Sequence, residues 1–300
     1  MYAAVDEQRR ELVWLDRQGR RLSAAADIGL YFGAPALSLD GKFAVVDRAD
    51  SSRGVGDLWL VDLARSVSSR FTLDRGQEGM PVVSSDGRVA YAFIDAQSYG
   101  IRVKSTGDSD TPRTIYTAQH LSWPSSWTRD GSHIVGTVRS ARTGEDIWLF
   151  PVEGPGEPSA LRATEAEEAH ARVSPDGRWL AYASNESAAF EVYVQSFPVS
   201  GRAQRISTSG GMEPRWCRDG KELFYRSGDG RLMAVPVTVG PTFQAGTPVA
   251  LFQAPVSPAD TETSYDVSAD CQRFLLNAVV NDRQGQSLNV VLNWSAAMQP

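Results

Sequence analysis

Short apolar runs, broken at regular intervals by one recurring polar turn, make up most of this chain. An Asp-Gly pair stands at Asp40-Gly41, Asp86-Gly87, Asp130-Gly131, Asp176-Gly177 and Asp219-Gly220, and Asp270-Cys271 is a sixth, degenerate copy. Successive copies are 43 to 51 residues apart, the length of one four-stranded propeller blade. The flanks repeat as well. Two positions ahead of each Asp stand Ser38, Ser84, Thr128, Ser174, Cys217 and Ser268, and one position further back Leu37, Val83, Trp127, Val173, Trp216 and Val267. A large apolar residue followed by a hydroxyl and a tight turn reads as the end of an innermost strand, a. The runs 42–46, 88–92, 178–182, 221–225 and 272–276 that follow are apolar and of buried-strand length, strand b. Asp-Gly suits the hairpin between them, because glycine takes the positive φ the turn demands and the aspartate bonds back to nearby backbone. These aspartates are therefore turn residues and not catalytic acids.

A third strand, c, follows each turn at 57–62, 100–104, 146–150, 191–195, 231–235 and 288–292, and a seventh copy lies upstream at 11–16, preceded by a b-like stretch at 2–5. Six turns and seven c strands predict an all-β fold, a propeller of four-stranded antiparallel blades, seven in number with incomplete terminal blades; six is the alternative. The expected boundaries are a partial first blade over 1–27, full blades over 28–74, 75–117, 118–164, 165–208 and 209–253, and a last blade over 254–300. On that count the two ends supply strands b, c, d and a, b, c, which do not close the ring neatly. Trp14, Trp59 and Trp148 recur at one position of strand c, and Trp127 and Trp216 at one position of strand a; such repetition predicts packing.

Composition narrows the function. A chain that is 42% hydrophobic with 26 Gly and 16 Pro is that of a folded globular protein. Its net charge of −6 gives no basic footprint, so nucleic acid is not an expected partner. No apolar run approaches a membrane span, and the first residues lack the pattern of a signal peptide, so no membrane insertion is expected. Cys217 and Cys271 are too few for a disulfide framework and belong to no CxxC pair; His120, His133 and His170 sit at no ligand spacing. Neither a metal nor a cofactor is expected.

The stretch Val173-Ser-Pro-Asp-Gly-Arg-Trp-Leu-Ala-Tyr182, with Ser184-Asn-Glu-Ser187, Glu191-Val-Tyr-Val194 and Gly210-Gly-Met-Glu-Pro-Arg-Trp216, resembles the PD40 repeats of TolB-type propellers. Val173 departs from a pattern that more often has phenylalanine there. The likeness is strongest from about residue 165 onward. That half, together with Gly228-Asp-Gly-Arg-Leu-Met-Ala-Val-Pro236 and Val290-Val-Leu-Asn-Trp294, also resembles the propeller that follows the membrane segment of many bacterial serine/threonine protein kinases. The resemblance implies a sensory or interaction role and an extracytoplasmic position, and places any further sequence upstream of Met1. The chain has no kinase Gly-rich loop, His-Arg-Asp or Asp-Phe-Gly triplet, and no Gly-x-Ser-x-Gly hydrolase elbow.

Functional residues are expected where the blades differ, in the loops entering strand a. There, six to eight residues before each Asp, stand Phe32, Glu78, Met80, Trp123, Glu168, His170, Met212, Glu213 and Glu262. If Glu78, Glu168, Glu213 and Glu262 ring one mouth of the channel, their focused negative potential favours a cationic peptide, amine or ion; the plainer reading is four solvated glutamates. The expectation is a non-catalytic propeller binding a protein, peptide or small cationic ligand. The alternative is a lyase or hydrolase working at the channel mouth.

Overall fold

The computed structural model describes residues 9–49, 56–74, 76–96, 98–107, 111–154, 156–256 and 264–280, and every regular element in them is a β-strand. Blade 1 runs Tyr31–Leu37, Phe43–Ala49, Gly56–Asp62 and Val67–Arg70, each strand antiparallel to the next. Blades 2, 3 and 4 repeat that order from Gln77–Val83, Ser122–Trp127 and Glu168–Val173. Blade 5 opens with Gly211–Trp216 and adds a short strand, Gln244–Ala245, beside its outer pair. The Asp-Gly turns form as the sequence predicts. Gly41, Gly87, Gly131, Gly177 and Gly220 all have φ between 68° and 84°. Ser38 Oγ donates to Asp40 at 2.8 Å and Thr128 Oγ1 to Asp130 at 2.7 Å. These bonds hold the Asp40 and Asp130 carboxyls at about 2, chiefly through the Lys42 amide in the first and the Thr128 hydroxyl in the second.

Among the described residues the apolar core is divided along the seams between blades. Six apolar clusters lie one at each blade-to-blade interface. Along strand b, Ala44 and Val46 pack toward the preceding blade and Val45 toward the following one. Because both faces of a blade are covered, strand b reads as an unbroken apolar run instead of an alternating one. Tyr91, Tyr182, Phe150, Phe224 and Phe274 are fully buried in these seams, each worth roughly 1.5–3 kcal/mol by apolar transfer. The strand-a tryptophans tie the seams at their inner edge. Trp127 Nε1 donates to Val82 O and Trp216 Nε1 to Arg172 O, both at 3.0 Å and both to strand a of the preceding blade.

The ring has six blades, which corrects the expected seven. Tyr265–Val267 and Arg273–Val279 are strands a and b of the last blade, and Arg10–Asp16 and Arg21–Ala24 are its strands c and d. An unbroken ladder from Arg10↔Val279 to Asp16↔Arg273 joins the two ends of the chain. The stretches expected as two incomplete blades, 1–27 and 254–300, thus share one, and the ends close as a, b with c, d. Counting c-type patterns gave seven because closure merges two partial copies. The segments 2–5 and 288–292 lie outside the described residues.

Two further links hold blade 5 to the closing blade. Arg17 grips Glu222 with both terminal nitrogens, at 2.9 and 2.8 Å, and donates to Cys271 O at 3.1 Å. Cys217 and Cys271 form a disulfide with Cα atoms 5.6 Å apart. Each cysteine stands where the repeat has something else, the first for the hydroxyl and the second for the glycine, and Cys271 keeps the glycine-like φ of 59°. Among the described residues no helix is long and apolar enough to cross a membrane.

Candidate functional site

The six a strands surround a central channel of about 950 Å³. Each a strand begins at one mouth, where the loop from the preceding blade arrives, and ends at the other, in the Asp-Gly turn. Near its start the ladder to strand b slips, between Gly79 and Val82, Ala169 and Arg172, and Met212 and Arg215. At the same position of these bulges Met80, His170 and Glu213 take φ of 52°, 56° and 57°, a conformation non-glycine residues rarely adopt. A bulge re-aims side chains, and here it decides which residues of the variable loop reach the channel.

Trp123, His170 and Met212 line the channel, with Phe32 and Met80 beside them. Glu78, Glu168 and Glu213 do not: each is 0% exposed and faces away from it into the protein. The four-carboxylate ring is therefore not formed by its three described members, and Glu262 lies outside the described residues. Glu78 accepts from Thr72 Oγ1 at 3.2 Å, with Arg102 at 3.9 Å. Glu168 accepts from Arg162 Nε at 3.2 Å and from the Thr164 hydroxyl. Glu213 accepts from Arg226 and from the amide and hydroxyl of Ser264, at 2.7 and 2.8 Å. In all three, a carboxylate near the start of strand a is spent on buried partners from adjacent strands and loops. Burial, reinforced by Asp74, pushes the Glu78 carboxyl up to about 7; burial also raises that of Glu168, against Thr164 and Arg162.

The acid that does face the loop mouth at blade 4 is Glu167, one residue away. In a strand, one residue is the difference between opposite faces. Asn185 Nδ2 donates to it at 3.3 Å, and Glu145 is held by Arg139 at 2.7 Å. Phe32, Trp123, Met80 and Met212 form an apolar collar at this mouth, joined by Ile94, Leu121 and Phe190. The Arg139 guanidinium lies 5.7 Å from the Trp123 ring.

Deeper, four residues before each turn Asp, the channel wall carries Ala36, Val82, Ser126, Arg172, Arg215 and Asp266. Two arginines in adjacent blades were not singled out from the sequence. Their signal was present in that column, which is charged in three consecutive blades and small or apolar in the others. Beyond them, at the turn mouth, stand Arg129 and Arg218. Asp47, Glu145 and Glu167 thus gather toward the loop mouth, with Arg139 among them, and Arg172, Arg215, Arg129 and Arg218 toward the turns, with Asp266 among them. One group of metal-ligand side chains converges among the described residues, Cys217, Asp219 and Cys271, and its two sulfurs are bonded to each other.

No family model matches the chain. Over 86 residues, 28% of the chain, it is 34% identical to tricorn protease homolog 2 of Streptomyces coelicolor, and over 95 residues, 30% of the chain, 33% identical to tricorn protease homolog 1 of the same organism. It spans only 7% and 9% of those relatives' length. Among solved structures, a TolB-type protein of Agrobacterium tumefaciens superposes with a TM-score of 0.68 at 18% identity, covering 91% of this chain and 99% of that one. Oligogalacturonate lyase of Vibrio parahaemolyticus gives 0.56 at 15% identity, covering 80% and 69%. The tricorn protease gives 0.53 at 13%, covering 78% and 28%. Neighbours with such different chemistries share a fold and not a site. The chain has the fold of a TolB-like six-bladed β-propeller, and under a third of its length is similar in sequence to tricorn protease homologs.

Proposed function

We propose that this protein is a non-catalytic binding propeller that takes its ligand into the central channel through the loop mouth. The channel itself carries the reading: about 950 Å³ is the size of a small-molecule site, and an apolar wall with a few placed polar groups is how such sites are built. The collar of Phe32, Trp123 and Met212 supplies the apolar contact, on a scaffold held rigid by six packed seams. The buried carboxyls of Glu78 and Glu168, raised by burial and so suited to acid–base chemistry, are sealed away from the channel. The resemblance of 173–236 to kinase-linked propellers supports reading this channel as the input of a sensor. The Cys217–Cys271 bridge suits an oxidising, extracytoplasmic setting.

One observation favours the rival reading, an enzyme: His170 sits in the channel wall at a strained bulge, two residues before Arg172. A single experiment separates the two. A pool of short peptides and small organic acids is dialysed to equilibrium against the protein and analysed by mass spectrometry. Binding predicts that a subset is retained intact and is released by Met212→Trp, which fills the collar. Equal retention by both proteins refutes the channel as the site. Retained compounds recovered as products, but intact with His170→Asn, establish the enzyme instead.

A further inference from the structure

The arginines of the channel wall pose an electrostatic problem. Arg172 and Arg215 occupy the same position of strand a in adjacent blades, and the charge of each bears on the other. Like charges side by side, one of them 5% exposed, cost free energy unless an anion lies between or before them. The nearby acids do not meet that need. Asp266 lies 3.6 Å from Arg215 Nε and is shared with the amides of Leu37 and Val267, both at 2.9 Å. Glu213 is taken by Arg226 and Ser264, and the Tyr265 hydroxyl by Glu213 O at 2.9 Å. Two guanidinium groups thus share one carboxylate.

Their donors are also underused. Arg172 gives a terminal nitrogen to Ser125 O, and its buried Nε has no acceptor among the described residues. Arg215 gives one to Pro214 O at 3.0 Å. A strut between blades needs one such bond, and a second arginine beside it would only weaken it. We propose that Arg172 and Arg215 form a binding site for the carboxylate of a ligand whose apolar body rests in the collar of Trp123 and Met212. The fit is one of geometry as well as charge, since the planar guanidinium fork matches a carboxylate's two oxygens. Trp123 and Met212 stand three strand residues above the arginine level, roughly 10 Å, so a ligand of two or three amino-acid lengths reaches both. A free peptide C-terminus and a small apolar acid share this chemistry. The assignment rests on the channel being the binding site, and deepens it.

Calorimetric titration of the full chain tests it with N-acetylleucine and N-acetyl-trileucine, each as the free acid and as the C-terminal amide, and with inorganic phosphate. The acids should bind about tenfold or more tightly than the amides, the advantage of a charge-assisted pair. Arg172→Gln should bring the acids down to the level of the amides, and a cooperative melting transition of the variant shows that it is folded. Arg172 is chosen because removing Arg215 would strand Asp266. The tripeptide binding more tightly than the single residue supports a peptide terminus; equal affinity supports a small acid. Acid and amide binding alike would overturn the carboxylate site and leave the channel standing. No binding by any of the four would overturn both. Phosphate competing as strongly as the acids would overturn the carboxylate assignment.

Discussion

Restoring the repeat at its two cysteines is the sharpest test of how the ring is held. The Cys217–Cys271 bridge spans 54 residues of chain between blade 5 and the closing blade, and a loop of that length corresponds to about 4 kcal/mol of restraint on the unfolded chain. The variant C217S/C271G removes the bridge but returns the two residues the other turns use. The serine regains the bond to its turn aspartate seen at Ser38 and Asp40. The glycine relieves the φ of 59° that Cys271 holds, together worth about 1–2 kcal/mol. The net loss is about 2–3 kcal/mol, which for a chain of this size lowers the melting temperature by roughly 3–5 °C. Tryptophan fluorescence on heating reads it, for the oxidised protein, the protein under reductant, and the double variant. The expected order is oxidised highest, double variant next and reduced protein lowest, because the reduced protein loses the bridge and keeps the strain. A double variant melting at or above the oxidised protein would refute the assignment of the bridge as a ring staple.

Glu78→Gln should flatten the pH dependence of stability. The native carboxyl is raised from 4.5 to about 7, so the folded chain holds this proton longer than the unfolded one; the group's contribution is full below about 4.5 and lost as pH rises through 7, by up to about 3 kcal/mol. Urea midpoints at pH 5 and 8 check it, and parallel curves for variant and parent would rule it out. Val13→Pro should abolish cooperative folding, since Val13 pairs with both Leu276 and Ala24 in the closing blade and proline cannot donate to a ladder. Leu22→Pro, on the outer strand of that blade, should cost far less by the same urea assay, and equal losses would contradict the closure.

Much of the fold is written locally. The hydroxyl two residues before all but one turn Asp, the glycine after all but one and the apolar run of strand b lie within a nine-residue stretch, so blade length, strand order and turn chemistry can be read directly. The tryptophans at Trp127 and Trp216 pack as their repetition suggests, between blades. The candidate site was legible as a region and not as a set of residues. Trp123, His170 and Met212 reach the channel; Glu78, Glu168 and Glu213, drawn from the same loops, do not. The difference lies in the bulges at Met80, His170 and Glu213, whose positive φ has no glycine to announce it and which turn neighbouring side chains to opposite faces.

The sequence by itself determined the repeat and therefore the blade. Only the tertiary structure decided how many blades there are, because closure pairs 10–16 with 273–279 and no local pattern encodes contact between residues so far apart. The cysteines show the same division. Their departure from the repeat is visible in the chain, but their partnership depends on the ring bringing the turns of blade 5 and the closing blade together. So does the juxtaposition of Arg172 and Arg215, unremarkable as two arginines 43 residues apart and consequential once adjacent blades set them side by side in one channel wall.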